Sequence, residues 1–379
     1  MDIAEIYGIK SIADDVRFWM VRTKKGYFYK EFVTKGFVAL GWNEILEGTD
    51  LSDEKTIKAH IHNTYKDKRP GLALNKCKNF ISEIKENDIL VIPSEGSKKI
   101  TFAFVGDYYE DYAWTTEDEL DITYKIDNKE VELNTIECPY IKRRKIDVIK
   151  TVNNIGLNYH LLSAISAYHG LCNFDEYGKY ILDCIYDIYI YKNDISFSVN
   201  VTKKNAINPR EVANLMYGLT EYLCLFVDEN SLETAIYLNS PGKVKICLKK
   251  VADKFNKNKW VLLIALVILT GGSVKDAKLP GIVQVYKDFK TMNIYVQQQE
   301  ANLEAQLWEN ELEKAEIEGK KIENAEEMLK LIEAAEEQGV DVKALFNNSQ
   351  ILLNVNESLE LKSGEDFSVS VEETEYDNE

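Results

Sequence analysis

With 379 residues, 45% apolar and 29% charged, the chain has the composition of a globular protein long enough for two or three domains. Its net charge of −17 argues against a broad basic face for nucleic acid. The six cysteines form no C-x-x-C pair and the four histidines no metal motif, which argues against a zinc ribbon or a disulfide framework and suits a reducing cytosol.

Residues 1–15 carry acids and lack an apolar core, so no secretion signal is expected and the expected location is the cytoplasm. Residues 18–42 read FWMVRTKKGYFYKEFVTKGFVALGW. Alternation and β-rich residues predict strands at about 17–22 and 37–42, with a short helix reaching Val33 between them. Gly36 and Gly41 punctuate the stretch. Strand-end Trp and Arg side chains, here Trp19, Arg22 and Trp42, suit a stacking pocket for a flat ligand such as a nucleobase.

The order of these residues resembles the EVE-like branch of the PUA-like fold. These are small β-barrels found in modified-base readers and beside restriction nucleases. The family's W-x-x-R is Trp19 and Arg22, and its acidic-aromatic helix is Glu31-Phe32. Its G-W ending is Val38-Ala39-Leu40-Gly41-Trp42. Its F-x-x-x-I-K-x-G-D-x-V run is Phe80, Ile84, Lys85, Asn87, Asp88 and Leu90, with Asn in place of Gly. A G-x-V-x-G-x-Y strand matches residues 103–108 without the first glycine, and the closing R-x-V-x-W strand at residues 144–148 lacks its Trp. The resemblance covers about residues 16–150. It implies a barrel with a pocket for a base, often a modified and extruded one. Trp19, Arg22, Trp42, Tyr108 and Tyr109 are the expected lining, and Asp88 would accept from a base amine or orient Arg22. Competing structural readings put Trp19 in the core and pair Arg22 with Glu31.

Residues 1–150 hold 24 basic and 27 acidic side chains, whereas residues 297–379 hold 6 and 23, so the acidity is concentrated in the tail. Two basic clusters, Lys66/Lys68/Arg69 and Lys142–Lys145, are candidates to meet phosphates. The expected contacts are Lys68, Arg69, Arg143 and Arg144. A solvated loop and a solvated strand edge are the bland alternatives.

Residues 157–193 read as helical, 195–201 as a strand, and Asn208-Pro209 as an N-cap and first helical position. Strands at 234–238 and 243–249 complete a small α+β domain with helices expected on one face of the sheet. Residues 260–274 form an uncharged run flanked by lysines, read either as a buried or oligomer-interface helix or as a short membrane segment. Residues 284–338 suggest a long charged helix, and 363–379 a disordered acidic tail. The expected division is 1–152, 153–250, 251–283, 284–345 and 346–379, in an α+β chain.

There is no P-loop and no G-x-S-x-G elbow. The D/E–K pairs at Asp253-Lys254 and Glu313-Lys314 sit on helical or loop segments rather than the strand a metal nuclease needs. The expected function is non-catalytic: recognition of DNA or a nucleotide-type ligand, without cofactor or metal, coupled to self-association or a partner effector. By analogy with the resembled readers, the setting is antiphage or restriction-type defence. The alternative is a membrane-associated effector that senses a nucleotide and inserts residues 260–274.

Overall fold

The computed structural model describes residues 10–249, except 134, 156, 169, 202, 204, 226, 227 and 238–241, together with short strands at 272–274, 277–279 and 361–362. The chain is α+β and divides into two compact units. One is Asp14–Tyr186; the other takes the described residues up to Ala13 and those from Asp187 onward.

The Asp14–Tyr186 unit is built on a six-stranded sheet of order β3-β6-β5-β4-β2-β7. Its strands are β2 (Phe18–Arg22), β3 (Phe37–Leu40), β4 (Ile89–Pro93), β5 (Lys99–Glu110), β6 (Lys142–Asn153) and β7 (Gly170–Asn173). β2 and β4 run parallel and every other pair is antiparallel. Every residue of β2 and β4 is buried, as expected where a sheet is covered on both faces. β5 and β6 form a long hairpin whose register shifts between Val105 and Tyr108; such a bulge bends the strand and re-aims the side chains beyond it. Thr23 Oγ1 donates to Ala39 O at 2.9 Å, which ties the segment after β2 to β3 and makes the sheet curl toward itself.

Among the described residues four α-helices precede β6. α1 (Tyr29–Lys35) ends on Gly36 in the left-handed conformation, a position that favours glycine. α2 (Glu54–Tyr65) is capped by Asp53, and α3 (Pro70–Lys78) starts on proline, which has no N–H to leave unpaired there. α4 (Thr116–Asp127) carries a Thr115/Asp118 capping box. The main core gathers Trp19, Val21, Phe28, Phe32, Phe80 and Leu90. Phe18 belongs to the alternate set of β2 side chains and lies against Gly178, where a Cβ would come within 2.7 Å of its ring.

Residues 157–193, read from sequence as helical, form α5 (Tyr159–Ala167), β7, α6 (Gly178–Ile185) and β8 (Ile188–Tyr191). β7 has four residues, too few to show a period, and it exists because it pairs with the outer edge of β2. The expected boundary at 152 falls at the end of β6, and the unit continues through α5, β7 and α6.

In the second unit the sheet order is β1-β8-β9-β11-β10, from β1 (Lys10–Ser11), β8, β9 (Asp194–Val201), β10 (Leu232–Tyr237) and β11 (Gly242–Leu248). α7 (Pro209–Leu223) begins with the expected Asn208 cap, completed by Glu211, and buries Leu215, Leu219, Tyr222 and Leu223. Three short strands complete the described chain: β12 (Gly272–Val274), paired with β13 (Ala277–Leu279), and β14 (Leu361–Lys362), paired with β9. The apolar run 260–274 therefore ends in a strand that begins at Gly272. The rest of that run, the charged stretch 284–338 and the tail 363–379 lie outside the described residues. Among the described residues no helix is long and apolar enough to cross a membrane.

Candidate functional site

β3 ends at Leu40, and Gly41 and Trp42 carry the chain out of the sheet. Trp42 has φ 60°, a left-handed backbone that a bulky residue adopts only when its surroundings enforce it. The enforcement is visible on both sides. Trp42 N donates to Glu119 Oε1 at 2.6 Å, and Lys142 Nζ donates to Trp42 O at 2.6 Å. Asn43 N donates to the other Glu119 oxygen at 2.8 Å. The Asn43 amide is fully used: it donates to Thr115 O and Pro139 O, and it accepts from Ile141 N. At Gly41 a Cβ would lie 2.5 Å from Glu119 Oε1, so only glycine lets the carboxylate in. The indole itself is half-buried against the core.

Glu119 comes from the first turn of α4, and Lys142 opens β6 opposite Leu40 and Glu110. Burial pushes the Glu119 carboxyl up, against the pull of the two backbone N–H groups. Burial lowers the Lys142 ammonium, whose side chain is 0% exposed, while the charges of Cys77, Glu119 and Glu110 oppose it. Glu110 Oε1 accepts from Tyr108 at 2.7 Å and from Glu47 N at 2.9 Å, and its other oxygen meets Tyr112. Trp42 and Tyr108 are thus linked through the cross-strand neighbours Lys142 and Glu110. Tyr109, next along β5, points to the other side of the strand and is half-buried as well.

Tyr65 adds a further aromatic that sequence reading did not single out. It closes α2, and its hydroxyl accepts from Glu44 N at 3.2 Å, two residues past Trp42. Burial and the Glu119 charge hold its phenol above the ordinary range. The next residues are the basic loop, in which Lys68 and Arg69 are exposed.

The remaining expected site residues sit elsewhere. Trp19 is 1% exposed and donates its indole N–H to Asp88 Oδ2 at 3.0 Å. Asp88 also accepts from Arg17 N and Lys85 N. This carboxylate therefore fastens β2 to the turn before β4. It neither orients Arg22 nor faces a ligand, and Trp19 is a core residue. Arg22 does not pair with Glu31, which serves Lys35 and Cys138 N instead; it donates to Ser97 Oγ.

Arg143 and Arg144 are not phosphate contacts in this arrangement. Arg143 donates to Tyr140 O and Cys138 O, pairs with Asp111 at 2.8 Å and lies over the Phe37 ring. Arg144 donates to Phe80 O and Ile81 O, where it satisfies carbonyls at the end of the helical segment that follows α3, and it stacks on Tyr108. The expectation failed because a run of four basic residues reads as solvated, whereas the first three here are buried and the fourth exposed.

A family model described as "Domain of unknown function (DUF8426)" matches residues 19–131, from β2 through α4. No curated protein and no solved structure matches the chain. Among the described residues no group of three or more His, Cys, Asp or Glu side chains is placed to hold a metal ion.

Proposed function

We propose that the Asp14–Tyr186 unit is a PUA-like module of the EVE type that recognises a base of nucleic acid, with a modified base as the favoured target. The observation that carries this reading is Trp42. A half-buried Trp is held in a left-handed backbone by a buried carboxylate on its backbone N–H and a buried ammonium on its carbonyl. A bulky residue held in the left-handed region by its surroundings marks a candidate functional position.

Three features support the reading. Tyr65 and Tyr108 are tied into the network around Trp42, and such faces stack a flat base with about 1–3 kcal/mol each. The exposed Lys68 and Arg69 lie three and four residues past Tyr65 and are available to meet the phosphates that must offset base extrusion. The curled sheet with a bulged long hairpin suits a barrel-like reader. The proposed ligand-facing set is Trp42, Tyr65 and Tyr108, with Lys68 and Arg69 on phosphate. Coupling to self-association or a partner effector, and a place in defence against foreign DNA, rest on the family likeness alone.

A duplex carrying 2-aminopurine beside a 5-methylcytosine tests extrusion directly. Stoichiometric protein should raise the probe's fluorescence severalfold as stacking is lost, and Trp42→Ala should abolish the rise. An unchanged signal on a duplex shown to be bound would refute base extrusion.

A further inference from the structure

Arg22 stands outside the Trp42 network and poses a separate question. Its side chain is 9% exposed, yet no carboxylate pairs with it among the described residues. Its Nε is buried and has no hydrogen-bond partner, and Nη2 donates to Ser97 Oγ. Ser97 is itself buried, and since its hydroxyl oxygen accepts from Arg22, its own proton remains to be donated. Burial lowers the guanidinium's affinity for its proton, with nothing opposing it. The Ser97 oxygen serves Nη2, which leaves the buried Nε–H of Arg22 without an acceptor. Buried donors left so are costly, and an Arg edge of Nε and Nη2 is the fork that matches a planar or tetrahedral oxyanion.

The surroundings have the matching charge. The strand residue opposite Arg22 is Gly170, and Lys76 Nζ lies 2.6 Å from where a Cβ on Gly170 would be. Lys25, Lys98 and Lys99 are exposed in the two segments that carry Arg22 and Ser97. Those segments are pressed together at Gly26, where a Cβ would meet the backbone of Ser94 and Glu95 at 2.6 Å.

We propose that Arg22 and Ser97 form an oxyanion site that takes a phosphate group, separate from the base pocket and not dependent on it. The guanidinium fork and the seryl hydroxyl donate to two phosphate oxygens. The phosphate belongs either to a free small anion or to the end of a nucleic-acid strand, and the same chemistry serves both.

The test is thermal unfolding and titration calorimetry of the full chain at constant ionic strength. The probes are inorganic phosphate, chloride as the control, and a short single-stranded oligonucleotide with either a 5′-phosphate or a 5′-hydroxyl. Phosphate should raise the melting temperature above the chloride baseline in a saturable way. Arg22→Gln should weaken that binding at least tenfold. Ser97→Gly removes the hydroxyl while suiting the positive φ of 56° at that position, so it should fold and still bind phosphate several times more weakly. A tighter 5′-phosphate oligonucleotide in the same variant-sensitive way would assign the site to strand ends, and equal oligonucleotides with sensitive inorganic phosphate would assign it to a free anion. No stabilisation by phosphate over chloride, or equal binding by wild type and Ser97→Gly, would overturn the proposal.

Discussion

Glu119 and Lys142 are buried ionisable side chains on the two sides of Trp42, and their removal tests the clamp directly. Glu119 accepts two adjacent backbone N–H groups, one on each oxygen. A glutamine would turn an NH2 toward one of them. Glu119→Gln should therefore lower unfolding free energy by about 1–3 kcal/mol, measured in urea. A loss within 0.3 kcal/mol of zero would show that the clamp on Trp42 is not under load. Lys142 behaves oppositely with pH. Burial holds its ammonium below the usual 10.5, so the unfolded chain binds that proton more tightly and this part of the stability grows as pH rises toward 10.5. Lys142→Met has no such ionisation. The stability of wild type relative to Lys142→Met should rise between neutral pH and pH 10.5; a flat difference would mean the lysine is not desolvated in solution.

Two joints hold the elements that carry the site. Asp88 gathers the Trp19 indole and two backbone N–H groups between β2 and the turn before β4. Asp88→Ala leaves those donors without their acceptor and should destabilise the protein by about 3 kcal/mol in denaturant melts. Gly26 has φ +92° and no room for a Cβ. Gly26→Ala should cost about 2–4 kcal/mol from backbone strain and overpacking together. A cost below 1 kcal/mol would mean that the contact between residues 23–26 and 94–97 is loose.

The elements differ in how plainly the sequence announced them. β2, β3, β9 and α7 were legible because alternation, an Asn-Pro start and flanking glycines act locally. α4 was missed although its capping box is present at Thr115 and Asp118, because only Ile122 and Glu119 of its residues are buried and its apolar stripe is faint. β7 was missed because its reason for existing is β2, far away in the chain. Among the proposed ligand-facing residues, Trp42 and Tyr108 stood out in the sequence as aromatics at strand ends. Trp19 and Asp88 were expected to line the ligand pocket, and instead they bond to each other in the core, because their roles depend on burial, which sequence spacing does not encode. Lys142, Glu119 and Tyr65 come from three separate segments and meet only when the sheet curls.

For the molecule as a whole, the acidic tail sets the net charge, while residues 1–150 are close to neutral. Binding to nucleic acid should then depend on few phosphate contacts and respond modestly to salt. With Arg143 and Arg144 turned inward, Lys68 and Arg69 are the phosphate contacts the account assigns. Replacing both with serine should flatten the plot of log affinity against log salt by about 1.8 units on duplex DNA, with melting temperature unchanged. An unchanged slope would place the phosphate contacts elsewhere.

The most direct test of the central claim is the affinity of the full chain for matched duplexes at two salt concentrations. The duplexes carry cytosine, 5-methylcytosine or 5-hydroxymethylcytosine, and Trp42→Ala is measured alongside wild type. Preference for one modified duplex is expected, with a loss of about 1–3 kcal/mol, or roughly 5- to 150-fold, in Trp42→Ala. Absence of binding at either salt, or equal affinity of wild type and Trp42→Ala for every duplex, would contradict it.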